Sequence, residues 1–335
     1  SAGRLLARLP TDRRSLLESA HDIPDHGDPD PSDEFDRGIA ALTALGILNR
    51  SHTYLAPMPV SGSTREPHGD YTGTSHHVLD QILAFRSTDQ LLLDDIDRFM
   101  GVGTRDTPPT VLFDVEPRAD GGVDLYASEH WAFPDIPSFF VQLPGAVHDF
   151  APRSCSQIVF HAGAVRTPDR RVLLLPGGTE HGKSTLVAAL VQAGCDYLGD
   201  EMTGVLAESL NCLCYPAPLA LDNNGRQVLG LGPSRSPHTD PRELNGEVVL
   251  LSGEVEPVNE VILPVFNLEA EPLVEQLTPI DALRALLENT TNLHLAGELG
   301  FETLCAIAES VVVTRIVHGD TRKIAQSILS GHPIG

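Results

Sequence analysis

The chain has 335 residues, of which 41% are hydrophobic and 21% are charged, so a substantial folded core is expected. Its 46 acidic and 23 basic residues give a formal net charge of −23, which argues against nucleic acid or an anionic membrane as the main partner. No apolar run approaches the roughly 18 residues of a membrane-spanning helix, and the start lacks a signal-peptide core. With five scattered cysteines, these features favour a cytoplasmic protein.

Residues 1–105 are predicted to form a separate, smaller and mainly helical N-terminal region with a substrate-recognition or regulatory role. Apolar residues recur at helical spacing over roughly 34–48, and helical patterns return at His77–Phe85 and Gln90–Met100. Residues 56–75 are rich in Pro, Gly, Ser and Thr, which indicates an exposed loop. No catalytic constellation is recognisable in this region.

From about residue 110 the pattern changes to strands, and residues 106–335 are predicted to form the catalytic domain. A Gly-Gly turn separates strands predicted at Val111–Val115 and Val123–Tyr126, as in a hairpin. A further strand is predicted at Ile158–Val165. After a short turn, the apolar run Val172–Leu175 is typical of a buried strand.

A glycine-rich motif follows this buried strand, and Gly177-x-x-x-x-Gly182-Lys183-Ser184 matches the phosphate-binding loop pattern. Glycines let backbone N–H groups approach phosphate oxygens, and the helix N-terminus adds a positive dipole end. Lys183 is predicted to contact the outer phosphates, and the Ser184 hydroxyl to bind Mg²⁺. Binding of ATP, or of another nucleoside triphosphate, is predicted for the whole loop: Gly177, Gly178, Thr179, Glu180, His181, Gly182, Lys183, Ser184 and Thr185.

The remainder of the chain alternates between further strands and helices. A long mobile loop is predicted over 223–245, where Gly, Pro, Ser and Arg are frequent. Thr278 is a predicted N-cap with Pro279 at the first helical position, and Asp320 is the N-cap expected for the last helix. The other predicted elements are strands at Tyr197–Gly199, Thr203–Ala207, Cys212–Tyr215, Leu219–Leu221, Glu260–Phe266 and Val311–Val317, and a helix over about 294–309.

Two acids follow the predicted strand after the loop helix. Asp200 and Glu201 lie about sixteen residues beyond Ser184, and an α/β sheet returns such residues to its carboxyl edge, beside the phosphate loop. One carboxylate is predicted to hold Mg²⁺, and the other to accept the proton of the acceptor hydroxyl. His161 lies in the strand before the loop strand, where by itself it would be a core histidine bonded to backbone.

The order of His161, the phosphate loop and the Asp200-Glu201 pair resembles the catalytic domain of HPr kinase/phosphatase and its kinase relatives. The resemblance implies a mixed α/β P-loop kinase domain, with mixed sheets and flanking helices. It implies that Asp200 is the catalytic base, that His161 holds or activates it, and that Lys183 takes part in transfer. Ser184, Asp200 and Glu201 would serve the metal.

This sequence departs from the HPr kinase pattern at the loop and at the acids. Glu180 and His181 stand where HPr kinases carry Gly and a small residue, and the acidic pair is Asp-Glu instead of Asp-Asp. Phosphatase activity and HPr as the substrate are therefore not carried over.

The resemblance favours a hydroxyl acceptor, because acceptors of the relatives include protein serines, free serine and the C-terminal serine of lasso-peptide precursors. The leading interpretation is an ATP- and Mg²⁺-dependent kinase of a protein or peptide serine. The alternatives are a small-molecule kinase of an amino acid or natural product, and a non-catalytic nucleotide sensor, which Glu180 suggests. Arg226, Arg235 and Arg242 are either phosphate or substrate clamps or solvated loop residues, and a homo-oligomer is left open.

Overall fold

The computed structural model describes residues 61–62, 69–178, 181–236 and 238–331 of the chain. These residues form mixed α/β structure with two large sheets, one two-stranded sheet and seven α-helices. The helix predicted over roughly 34–48 lies outside the described residues. In the part of the chain that the structure describes, no helix combines the length and the apolar character needed to cross a bilayer.

The first sheet lies in the N-terminal part of the chain. Its strands are β1 Ser61–Gly62, β2 Tyr71–Thr72, β3 His76–Val78, β4 Gln81–Ser87, β5 Val111–Pro117, β6 Val123–Tyr126 and β7 Glu129–Phe133. Neighbouring strands follow the order β1-β7-β6-β5-β4-β2, and β3 also pairs with β4. A parallel pairing joins β4 to β5, and helix α1, Gln90–Met100, connects them.

Two helical predictions for this region have different outcomes. The helix predicted at His77–Phe85 is wrong, because these residues form the antiparallel pair β3 and β4. The helix predicted at Gln90–Met100 is confirmed, and the Asp89 carboxylate caps it by accepting from the backbone N–H groups of the first turn. The described part of the region predicted to be mainly helical therefore contains four strands and one helix. Because β4 pairs with β5, the sheet also continues across the boundary predicted after residue 105.

One face of this sheet is covered by α1 and by helix α2, Ile136–Ser154. The helix α2 forms although it contains Pro144 and Pro152. The shared core also includes Met202 and Tyr215 from the second half of the chain, so the two halves pack directly on each other. The largest fully buried side chains of this core are Phe85, Phe113, Trp131, Phe133 and Phe139.

The second sheet contains nine strands and carries the predicted phosphate loop. Its strands are β8 Ile158–Phe160, β9 Ala162–Arg166, β10 Val172–Pro176, β11 Asp196–Gly199, β12 Thr203–Val205, β13 Asn211–Cys214, β16 Gly253–Phe266, β17 Leu273–Gln276 and β18 Val312–His318. The main order is β11-β9-β10-β16-β13-β12-β8, and β18 and β17 extend it from the second half of β16. The strand β16 pairs in parallel with β10 on one side and with β18 on the other.

Helices cover both faces of the second sheet. They are α3 Lys183–Gln192, α5 Pro279–Glu288, α6 Leu293–Ser310 and α7 Thr321–Ser330. Because strand side chains alternate between faces, Leu173 and Leu175 of β10 pack with α3 and α7, whereas Val172 and Leu174 pack with α5 and α6. The strand β10 is therefore fully buried, as its apolar run predicts.

The predicted helix caps at Thr278 and Asp320 are confirmed. The Thr278 hydroxyl accepts from the Asp281 backbone N–H at 3.3 Å, and the Asp320 carboxylate accepts from the Lys323 N–H at 3.1 Å. Each cap satisfies an N–H group that the first helical turn cannot bond internally. The helices α5 and α7 therefore begin where the sequence predicts.

The segment predicted as a mobile loop over 223–245 has structure instead. It contains helix α4, Asn223–Val228, and a 3₁₀ turn at Pro241–Glu243. Its strand β15, His238–Thr239, pairs antiparallel with β14, Leu219–Ala220, in the small two-stranded sheet. The loop prediction is therefore wrong for these elements.

Candidate active site

The predicted phosphate loop connects β10 to α3 in the structure. Gly182 is the N-cap of α3 with a φ of 80°, in the left-handed region that glycine adopts readily. A Cβ atom at Gly182 would lie 2.9 Å from the Cβ atom of Phe266, so a side chain has no room there. Thr179 and Glu180 lie outside the described residues, and phosphate binding by the loop stays a prediction.

Lys183 is the first residue of α3, and its side chain is only 4% exposed. Its ammonium group donates a 2.7 Å hydrogen bond to the backbone carbonyl of Asp200. The same nitrogen lies 3.5 Å from a carboxylate oxygen of Glu201 and 3.4 Å from Nε2 of His161. The structure therefore brings together four of the residues that the sequence predicts for the site.

His161 interrupts the strand that the sequence predicts at Ile158–Val165. The chain divides there into β8, which pairs with β12, and β9, which pairs with β10 and β11. The His161 N–H donates to the carbonyl of Asn289 at 2.7 Å, so the α5–α6 junction holds the break. The imidazole beside this break lies next to Glu201, with Nδ1 3.4 Å from a carboxylate oxygen.

The carboxylate of Asp200 is buried, and the residue is 1% exposed. Burial raises its pKa, while Lys183, Ser184 and the backbone of Ala220 favour the charged form and oppose the increase. Neither carboxylate oxygen makes a hydrogen bond of normal distance and angle. A buried acceptor that lacks a partner is unfavourable, so this carboxylate is available to a proton donor or a cation.

Glu201 shares this environment with Asp200. Burial is the largest influence on its carboxyl group and raises its pKa to about 7, against the opposing effect of Lys183 and with a further increase from Asp200. Two carboxyl groups that interact this closely titrate as a pair. Together with the Lys183 ammonium, they form a charged cluster whose proton content changes near neutral pH.

Two glycines that the sequence analysis did not select bring Asp200 close to the helix and to a neighbouring loop. A Cβ at Gly199 would lie 2.8 Å from the carbonyl oxygen of Tyr215, which is backbone and cannot turn away. A Cβ at Gly163 would lie 2.5 Å from Cγ2 of Val187 and 3.4 Å from an Asp200 carboxylate oxygen. Glycine within a strand was the available signal, because it often marks close backbone approach.

The available donors fit Mg²⁺ in part. The Asp200 carboxylate and the Ser184 hydroxyl are hard oxygen donors, and Mg²⁺ is usually held by one or two carboxylates plus substrate phosphates and waters. Glu201 is instead occupied by contacts with Lys183 and His161. Within the described ranges, no group of three or more His, Cys, Asp and Glu side chains is arranged to hold a metal ion.

The three loop arginines are not equivalent. Arg226 is 6% exposed and donates to the carbonyl of Gly232, the hydroxyl of Thr239 and the carboxylate of Glu243 at 2.7, 2.6 and 3.1 Å. It therefore stabilises its own segment, and the alternative of a solvated loop residue is wrong for Arg226, whereas a role as a clamp is not tested. Arg242 forms a 3.2 Å ion pair with Asp240, and Arg235 is exposed.

Comparisons with known proteins add little to this geometry. No family model matches the chain, and no curated protein matches it. Among solved structures, the chain is similar to the Hpr(Ser) kinase/phosphatase from Coxiella burnetii, at 17% sequence identity and a TM-score of 0.30, over 51% of this chain and 91% of that chain. A TM-score this low carries no argument, so any inference about activity depends on the residues of the site.

Proposed function

We propose that this protein is a kinase that transfers the γ-phosphoryl group of ATP, or of another nucleoside triphosphate, to a serine-type hydroxyl of a protein or peptide. One observation supports the proposal above the others. The buried carboxylate of Asp200, without a hydrogen bond of normal geometry, lies beside a buried lysine that begins a helix after a glycine-rich loop. A kinase needs these groups to accept a proton and to neutralise phosphate charge.

Donor binding would use the N-terminus of α3 and Lys183. Backbone N–H groups of the first helical turn have no intrahelical partners and attract phosphate oxygens. The Lys183 ammonium now donates to the Asp200 carbonyl and would exchange this bond for the outer phosphates of the nucleotide. Because the ammonium is buried, its attraction for a phosphate is less weakened by water than that of an exposed lysine.

Proton transfer would use Asp200. A raised pKa makes a carboxylate a stronger base near neutral pH, provided that it is ionised. In the proposed step, Asp200 accepts the hydroxyl proton while the acceptor oxygen bonds to the γ-phosphorus and the bond to the bridging oxygen breaks. His161 and Glu201 contact each other and Lys183 rather than the Asp200 carboxylate, so we assign them to positioning the cluster.

Ser184 and one carboxylate of the pair would hold Mg²⁺. Where Asp200 accepts the proton, that carboxylate would be Glu201, because a carboxylate bound to the ion is a poor base. Bound Mg²⁺ would neutralise the negative charge on the phosphates. The Ser184 hydroxyl already favours the ionised form of the Asp200 carboxyl group. The loop serine and the acid therefore already interact electrostatically.

The test is incubation of the purified protein with γ-labelled ATP, Mg²⁺ and a set of acceptors that includes serine peptides, a lasso-peptide precursor and free serine. Asp200→Asn should lower transfer by about 10² to 10⁴, the usual contribution of a general base, while nucleotide affinity stays within a few-fold. Asp196→Asn is the matched control, because Asp196 begins the strand β11 that Asp200 directly follows, but pairs with Arg166. Unchanged turnover in Asp200→Asn would remove the proposed base.

Two other results would identify the alternatives. Transfer to free serine or a small natural product, with none to peptides, indicates a small-molecule kinase. Tight nucleotide binding with no transfer to any acceptor indicates a nucleotide sensor. Both outcomes are read from the same reaction set, because nucleotide affinity and labelled product are measured separately.

A further inference from the structure

A cavity of about 380 Å³ lies between helix α1, helix α2 and the segment that surrounds the small sheet. We propose that this cavity is the acceptor site, and that it binds a peptide segment with an uncharged aromatic or aliphatic side chain next to the phosphorylated hydroxyl. The inference rests on the proposed kinase function. The volume is at the lower end of the range of about 300 to 1,000 Å³ that ligand pockets occupy.

The strand β11 connects the cavity to Asp200, which directly follows it. Leu250, which lines the cavity, forms a parallel β-bridge with Tyr197 of β11. The carbonyl oxygen of Tyr215, the residue before the lining Pro216, would lie 2.8 Å from a Cβ at Gly199 of the same strand. Behind this wall, the buried Tyr197 hydroxyl donates at 2.7 Å to the carbonyl of Ala217, which lies in sequence between the lining residues Pro216 and Pro218. A ligand in the cavity would therefore lie against the strand that borders the proposed base.

The walls of the cavity are aromatic and apolar. The ring of Phe99 lies 5.6 Å from the ring of Phe140 and 5.6 Å from the ring of His238, which it meets edge to face. Pro216 and Pro218 complete this wall on the side of the small sheet. Such surfaces gain most from burying an apolar side chain, and aromatic rings add favourable ring contacts.

The charged groups around the cavity are already paired within the chain. Arg98 forms a 2.6 Å ion pair with Asp95, and Arg242 forms a 3.2 Å ion pair with Asp240. The third acid, Glu243, receives a hydrogen bond from the buried Arg226. A charged ligand would have to compete with these pairs, whereas an apolar side chain leaves them in place.

One polar group of the wall can contribute to orientation of a peptide. Nε2 of His238 lies 3.1 Å from the carbonyl of Val141, so it acts as the donor and leaves Nδ1 as an acceptor. Nδ1 is buried and has no hydrogen-bond partner among the described residues. A peptide N–H would satisfy it after a small adjustment of the ring.

The test uses two serine peptides that differ only in the residues beside the serine. One peptide carries Phe on both sides, and the other carries Asp on both sides. Binding of each fluorescently labelled peptide is measured without nucleotide by anisotropy, and phosphoryl transfer from γ-labelled ATP is measured separately. We expect the Phe peptide to bind at least tenfold more tightly and to have the lower KM.

The main variant is Ser236→Trp, which fills the cavity from an exposed position. Its matched control is Ser209→Trp, because both serines are exposed and each hydroxyl accepts from the backbone N–H two residues later, His238 for Ser236 and Asn211 for Ser209. Ser236→Trp should weaken binding of the Phe peptide at least tenfold and leave nucleotide affinity unchanged, whereas Ser209→Trp should bind both as the wild-type protein does. Phe99→Leu, which removes the ring and retains bulk, should reduce the preference for Phe over Asp.

The two hypotheses fail in different ways. The cavity assignment is overturned, and the kinase proposal stays intact, if peptides are phosphorylated without a preference for Phe. The same holds if Ser236→Trp does not change that preference. A third result separates the two hypotheses. If the wild-type protein binds the Phe peptide without phosphorylating it, and Ser236→Trp abolishes the binding, the cavity is supported as a peptide site and the kinase proposal is contradicted. Transfer to free serine that Ser236→Trp leaves unchanged also overturns the cavity assignment.

Discussion

The carboxyl group of Glu201 lies where the fold opposes its charge. Its pKa is raised from 4.5 to about 7, chiefly by burial. Below the lower value, both the folded and the unfolded chain carry the proton. Between the two values only the folded chain keeps it, so the free energy of unfolding falls as pH rises. Because each pH unit in this interval is worth about 1.4 kcal/mol, ionised Glu201 destabilises the nucleotide-free protein by about 3 kcal/mol.

Replacement of Glu201 by Gln removes the charge at every pH with little change in size. We expect the free energy of unfolding of the variant, relative to that of the wild-type protein, to rise by about 3 kcal/mol from about pH 4.5 to about pH 8. The gain should come with lower kinase activity, because groups kept at a functional site against stability are often required there. Urea unfolding at the two pH values measures the change, with fluorescence of the single, fully buried Trp131 and far-UV circular dichroism as reporters.

The control is Glu208→Gln, because Glu208 is exposed. It should give no pH-dependent gain. Coincident fluorescence and circular dichroism transitions are needed, because they indicate the two-state unfolding that the free energies assume. If Glu201→Gln is less stable than the wild-type protein at the higher pH, or gains equally at both, then burial does not oppose the Glu201 charge and the reasoning is refuted.

Three further predictions concern the same site and the segment beside it. Gly163→Ala should destabilise the protein by about 1 to 3 kcal/mol through overpacking, because its Cβ meets Val187 and Asp200. It should also slow phosphoryl transfer. Gly246→Ala is the control, because its Cβ has open space, and it should change neither stability nor transfer. Arg226→Met should reduce the free energy of unfolding by about 3 kcal/mol, since the buried hydrogen bonds of Arg226 hold the segment over 223–245 together. Nucleotide affinity should not change. Calorimetry and nucleotide titration measure the two quantities. The acid limb of kcat/KM should titrate above the ordinary pKa of 3.8 for aspartate, because Asp200 must be ionised and burial raises its pKa; a limb at or below that value contradicts the assignment.

The strand, loop and helix around the candidate site could be predicted because their signals are local. The apolar run Val172–Leu175, the glycines and the apolar helix that follows each determine structure over a few residues. The position of Asp200 also followed from the topology, because one helix and one strand return the chain to the same edge of the sheet. The sequence therefore located the loop and the acids that the structure brings together.

The error at His77–Phe85 has a different origin. Val78, Leu79, Ile82 and Leu83 fit helical spacing, but the segment is a strand pair in the structure. The decisive contact is the parallel ladder with β5, in which Leu83 pairs with Val111. Such long-range pairing leaves no local signal, and tertiary context overrides the period of the pattern.

The segment over 223–245 shows the same limit for side chains. Its composition indicates a mobile loop, yet the buried guanidinium of Arg226 joins residues 232, 239 and 243. Gly163 and Gly199 are glycines within strands, which is a sequence signal for close approach, but the atoms that exclude a side chain there, Val187 Cγ2 and the Tyr215 carbonyl oxygen, are identified only by the structure. These features depend on residues far apart in sequence, which composition does not identify.

The most direct test of the central claim is a crystal structure of the protein with Mg²⁺ and a non-hydrolysable ATP analogue. The account predicts phosphates at the N-terminus of α3, the Lys183 ammonium turned from the Asp200 carbonyl to the outer phosphates, and the Asp200 carboxylate facing the terminal phosphate. Phosphates bound elsewhere, with Lys183 still donating to the Asp200 carbonyl, would contradict it.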